Sequence, residues 1–108
     1  MTWDDVLDRI KDAGLHAVEE TYMEHYGKVL SAQRPEFENR IIRCTYGKVQ
    51  CEGVELEVFL FPSEGHLQDF MDLIKQDSWW IARENAVFHF PECDPAVADK
   101  IVRSISRA

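Results

Sequence analysis

Three cysteines and four histidines are the side chains of this chain best suited to hold a metal or act as nucleophiles. His89 and Cys93 make one short ligand pair, and no Cys-x-x-Cys is present. A structural zinc site is usually built from such short pairs, so no metal site is expected. No Gly-x-Ser-x-Gly elbow occurs, and no cysteine stands in a recognised catalytic context. Cys93 lies just before a predicted helix start, where a thiolate is stabilised. That is a mild argument for reactivity against the plainer reading of a loop cysteine.

Glu55 and Glu57 share a strand face and are within reach of Glu19 or Glu20 on a neighbouring strand. Acid–base work, however, needs a pocket that perturbs such groups, and none can be read from sequence. His16, His25, His66 and His89 are scattered, and the five glycines are isolated, so no phosphate-cradling loop is formed. The sequence therefore names no catalytic residue and no cofactor, and it leans away from an enzyme.

These side chains must be carried by a small set of elements. Residues 2–13 predict a helix: Thr2 and Asp5 fit a capping box, and Trp3, Val6, Leu7, Ile10 and Ala13 share one face. Gly14 suits the position after the helix end. Residues 15–24 predict a strand, with Leu15, Ala17 and Glu19 on one side and Val18 and Tyr22 on the other. Residues 25–39 read as an irregular connection with a short extended piece at 28–30. Strands over 40–51 and 54–61 flank Glu52-Gly53, a two-residue hairpin loop that fixes their register. Cys51 then faces Val54, Val49 faces Leu56, Lys48 faces Glu57, and Tyr46 faces Phe59. This places Cys44 and Cys51 on opposite faces.

Pro62 ends the second strand, and Ser63 caps a helix over 64–76 whose apolar face is Leu67, Phe70, Met71 and Ile74. A second hairpin pairs 79–83 with 86–90, with Asn85 available for the left-handed turn conformation. Asp94-Pro95 opens the last helix, whose buried stripe is Val97, Ile101, Val102 and Ile105. The order α-β-β-β-α-β-β-α predicts one α+β domain spanning 1–108, with three helices on an antiparallel sheet of about four or five strands.

The first hairpin is apolar on both sides. Val49, Cys51, Val54, Leu56, Val58 and Leu60 form one face, which is enough to take the helices. Tyr46, Phe59 and Phe61 lie on the other, beside Lys48 and Glu57. That second face is either covered or open. A chain of 108 residues has little left for a second layer. The expectation is thus a homodimer or a partner site across Tyr46, Phe59 and Phe61, with Trp79 or Trp80 at its edge.

The net charge is -8, and residues 1–26 hold seven acids against Arg9 and Lys11. Such a surface repels phosphate backbones, so nonspecific nucleic-acid binding is not expected. No apolar run approaches the ~20 residues of a membrane span, and Met1-Thr2-Trp3-Asp4-Asp5 is no secretory signal. The odd cysteine count then predicts free thiols and a cytoplasmic address.

Several local patterns resemble a small family of uncharacterised bacterial domains often found in predicted lipoproteins. They are the turn Cys51-Glu52-Gly53, the strand end Phe61-Pro62-Ser63, the aromatic hairpin from Trp79 to Phe88, and the helix opening Asp94-Pro95-Ala96-Val97. The helix end Ala13-Gly14-Leu15 also matches, and residues 25–39 do not. The family has no assigned activity, so the resemblance implies no site residues. The lipoprotein signal and its lipidated cysteine are lacking here.

The expected function is that of a non-enzymatic interaction or regulatory domain that binds a protein partner or itself. Two other classes fit the same residues. One is an acidic inhibitor that mimics nucleic acid, such as a phage-encoded anti-defence protein. The other is a small-molecule binder or enzyme using an aromatic pocket.

Overall fold

The computed structural model describes residues 1–23, 44–73, 79–92 and 94–107. Its elements are α1 (Trp3–Asp12), β1 (Ala17–Met23), β2 (Thr45–Cys51), β3 (Val54–Leu60), α2 (Glu64–Leu73), β4 (Trp79–Arg83), β5 (Ala86–Phe90) and α3 (Pro95–Arg107). The strands form one antiparallel sheet in the order β1-β2-β3-β5-β4. Three helices on a five-stranded sheet is the α+β architecture the sequence predicts. No helix among the described residues is long and apolar enough to cross a membrane.

Local chemistry sets the element ends. Asp5 N–H donates to Thr2 Oγ1 at 3.2 Å and Thr2 N–H donates to Asp5 Oδ2 at 2.8 Å, which closes the capping box of α1. Ser63 Oγ accepts the His66 N–H at 3.3 Å at the start of α2. Asp94 Oδ1 accepts the Ala96 N–H at 2.8 Å at the start of α3. Glu52 and Gly53 take φ of 52° and 75°, the left-handed pair that a tight two-residue hairpin requires. The β2–β3 register is the expected one, from Cys51↔Val54 to Tyr46↔Phe59.

The sheet is covered on both sides. On the first face, Val49, Cys51, Leu56, Val58, Leu60, Phe88 and Phe90 pack against Trp3, Val6 and Ile10 of α1 and Ala98, Ile101, Val102 and Ile105 of α3. On the second, Tyr46, Phe59 and Val87 pack against Leu67 and Phe70 of α2, with Cys44 and Phe61 beside them. Cys44 and Cys51 fall on opposite faces, and both are free thiols.

Two features depart from the sequence reading. A β-bulge between Glu19 and Thr21 shifts the register of β1 on β2. One extra residue reverses the alternation, so Tyr22 faces Gly47 on the first face rather than pointing away with Val18. In the β4–β5 turn, Glu84 takes the left-handed φ of 55° and Asn85 does not. Asn85 acts instead through its amide, whose Nδ2 donates to the carbonyls of Phe61 at 2.8 Å and Met1 at 3.0 Å. The Phe61 N–H donates in turn to the Asn85 carbonyl at 2.9 Å. The connection at 25–39, residues 40–43, Ile74 and Cys93 lie outside the described residues.

Trp3 couples the first helix to the sheet. Its ring lies so close over Gly47 that a Cβ there would overlap Cζ3 and Cη2 of the indole. Tyr22 stacks on it at 5.7 Å, and the indole N–H donates to Glu19 Oε1 at 2.9 Å. Gly47→Ala is expected to destabilise the protein by about 1–3 kcal/mol through overpacking. Urea unfolding should show that this penalty largely disappears in a Trp3→Leu background, because the two changes share one contact.

Candidate functional site

The aromatic residues singled out by the sequence are core rather than surface. Tyr46, Phe59 and Phe61 are 7%, 4% and 2% exposed. The Phe59 ring is surrounded by those of Tyr46 at 5.2 Å, Phe70 at 5.3 Å and Trp80 at 5.8 Å, and Phe61 meets Phe70 at 5.1 Å. The expectation of an open interaction face at Tyr46, Phe59 and Phe61 is therefore corrected. The physical reason is the short link Phe61-Pro62-Ser63, which returns α2 across the second face while α1 and α3 share the first. Trp80 is partly buried at the edge of this cluster, and the side chain of Trp79 lies outside the described ones.

Beyond the aromatic cluster, the same face turns polar. Glu57 on β3 faces His89 on β5 across the strands, and Tyr46 stands on the neighbouring β2. The Glu57 carboxylate is 2.8 Å from His89 Nδ1 and also accepts from the Tyr46 hydroxyl. Trp80 stacks on the His89 ring at 3.8 Å with planes 12° apart. Burial pushes the Glu57 carboxyl up, but the hydrogen bonds from His89 and Tyr46, with the charges of His89 and Lys48, outweigh it. The net result is a carboxyl held below its ordinary range, hence ionised at neutral pH.

Lys48 stands opposite Glu57 in register, as the hairpin requires, yet its ammonium lies 2.6 Å from Glu55 and 3.8 Å from Glu20. With Glu57 engaged by Tyr46 and His89, the diagonal carboxylates take the cation. The hydrogen bond to Glu55 raises the Lys48 pKa.

Other candidate nucleophiles are quiet. Burial pushes the Cys44 thiol up to about 12 and the Cys51 thiol up to about 11, so neither forms a thiolate readily at neutral pH. Cys44 is buried. His66 is exposed, with its Nδ1 2.6 Å from Ser63 Oγ. Among the described residues, no group of three or more His, Cys, Asp or Glu side chains is placed to hold a metal ion.

One surface that the sequence did not single out is β1, a terminal strand of the sheet among the described residues. Val18 and Met23 face the same side as Gln50 and Tyr46 of β2, and they are 52% and 42% exposed. Tyr22, 43% exposed, faces the other side against Trp3. The bulge and the acids Glu19 and Glu20 lie between them. Alternation alone would have placed Tyr22 beside Val18, so sequence carried no signal for this split.

Comparison of the chain with protein-family models, with curated proteins and with solved structures finds no match in any of the three.

Two substitutions test this geometry. Phe59→Asp puts a carboxylate among three aromatic rings and is expected to cost more than about 4 kcal/mol, enough to unfold the protein as read by circular dichroism. Glu57→Gln is expected to destabilise by about 1–3 kcal/mol at neutral pH. Folded Glu57 binds its proton less tightly than the unfolded chain does, so its contribution is whole above the ordinary carboxyl value of 4.5 and is lost as pH falls below it. The urea-midpoint difference between wild type and Glu57→Gln should accordingly shrink between about pH 6 and about pH 3.

Proposed function

We propose that this protein is a non-enzymatic interaction domain that docks a partner protein along β1. One observation carries the reading: of the four large hydrophobic residues exposed among the described ones, Val18, Tyr22 and Met23 all belong to this strand. Single exposed hydrophobics are ordinary, whereas several on one terminal strand mark a contact surface. Glu19, Glu20 and the bulge discourage indiscriminate strand pairing at such an edge. Recognition then runs through side chains, with Val18 and Met23 as apolar anchors beside the Glu20–Lys48–Glu55 charge cluster.

The rival readings have less support. A nucleic-acid mimic wants free carboxylates in one array, yet Asp5, Glu19, Glu57, Glu84 and Asp99 each bond a neighbour within the chain. A general acid wants a raised carboxyl pKa, and that of Glu57 is lowered.

The test compares wild type with the double variant Val18→Asp, Met23→Asp. Both sites are exposed, so circular dichroism and thermal midpoint should change little. Capture of a partner from the native host is expected to fall at least about tenfold. Equal capture by the two proteins would place the contact elsewhere. Light scattering over a concentration series tells whether the partner is a second copy.

A further inference from the structure

We infer that the partner docked on β1 is a basic protein segment, one that presents Lys or Arg around two apolar side chains. The inference rests on the β1 reading and adds the chemistry of the partner to it.

Charge is divided unevenly across the sheet. Arg9 and Lys11 belong to α1, and Lys100 and Arg103 to α3, the two helices that cover the first face. Arg83 follows Ala82 of the second face, so alternation sends it to the first side as well. Among the described side chains, that leaves Lys48 as the one Lys or Arg on the second side. Glu20, Glu55 and Glu57 stand around it. Helix α2 covers the same face and adds the exposed acids Glu64, Asp69 and Asp72, with no Lys or Arg from Glu64 to Leu73.

The acids adjoin the apolar anchors. Val18 pairs with Gln50 and Met23 with Tyr46, so the two bracket Lys48 along β2. Glu55 pairs with Gln50 from the other side, which sets Val18, Gln50 and Glu55 in one row across three strands. Glu55 and Glu20 share the one ammonium of Lys48, so the local balance stays negative. Glu20 lies 3.8 Å from that ammonium, an ion-pair distance but too long for a hydrogen bond. A Lys or Arg from a partner completes its pairing.

The same charge disfavours other occupants. A second copy of the chain brings the same acids to the contact, and like charges set opposite each other cost affinity. Nucleic acid and anionic lipid are repelled by the acids and by the net charge of -8. A basic segment gains twice: the field of the second side steers its encounter, and Val18 and Met23 hold it once docked.

The test titrates three peptides into the full ¹⁵N-labelled chain at about 50 mM salt. The first sets two leucines among lysines, five positions apart as Val18 and Met23 are. The second replaces the lysines with glutamates, and the third replaces the leucines with serines. The first is expected to give saturable shifts at the amides of Val18, Met23, Lys48 and Gln50. It should weaken at least about fivefold when salt is raised to about 500 mM, and at least about threefold on the double variant Glu20→Gln, Glu55→Gln. The serine peptide should bind at least about fivefold more weakly, because it lacks the apolar contact. The glutamate peptide should give no saturable shifts. The inference is overturned if the first peptide does not saturate up to about 2 mM, or if its shifts lie away from β1 and β2. It is equally overturned if the glutamate or serine peptide, or the double variant, binds as tightly. Failure of the β1 reading is a separate result, namely equal capture of the host partner by wild type and by Val18→Asp, Met23→Asp. Capture that needs Val18 and Met23 but is unchanged by high salt and by Glu20→Gln, Glu55→Gln keeps the β1 reading and overturns the basic partner.

Discussion

Strand β3 carries large apolar side chains on both of its faces, and the rest of the fold answers that constraint. Leu56, Val58 and Leu60 need cover on one side, and Phe59 needs it on the other. The strand must therefore lie inside the sheet, between β2 and β5, with helices above and below. Each buried side chain of this size contributes about 1.5–3 kcal/mol, so leaving either face open would give up a large part of a marginal stability. The allocation of helices follows from chain geometry. Helices α1 and α3 enter from the two ends of the described chain and share the first face. Helix α2 follows β3 directly and is returned across the second.

The second face is not uniformly apolar, and its polar half is internally satisfied. Glu57 is held between Tyr46 and His89, while Lys48 is drawn to Glu55 and Glu20. A buried carboxylate is tolerated only when hydrogen bonds and nearby charge replace its water. Here the replacement is complete enough to hold the carboxyl below its ordinary pKa. The same arrangement connects β2, β3 and β5 through side chains, with Trp80 of β4 stacked on His89. Four of the five strands thus meet at one polar point beside an aromatic core. That fits a structural network better than an acid–base centre.

β1 is where the structure faces outward. Its bulge divides the strand into two runs of opposite alternation. Before it, Ala17 and Glu19 face α1; after it, Tyr22 takes that side and Met23 joins Val18 on the other. This one inserted residue brings the apolar side chains Val18 and Met23 onto one face and sets Tyr22 beside Trp3 on the other.

Much of the architecture was legible in the chain because its signals are local. Glu52-Gly53 fixed the β2–β3 register, since a two-residue loop allows one alignment and alternation then assigns every side chain to a face. Thr2, Ser63 and Asp94 marked helix starts because their side chains bond amides a few residues away. Four things needed the tertiary structure: which helix covers which face, the Glu57–His89 pairing, the Trp3–Gly47 contact and the bulge in β1. The first three join residues that are far apart along the chain, and the energy that decides them appears only when whole faces are buried. The bulge is local in position but not in cause. It is stabilised by what it brings together, Tyr22 with Trp3 and Gly47, and no alternation in the strand itself records that contact.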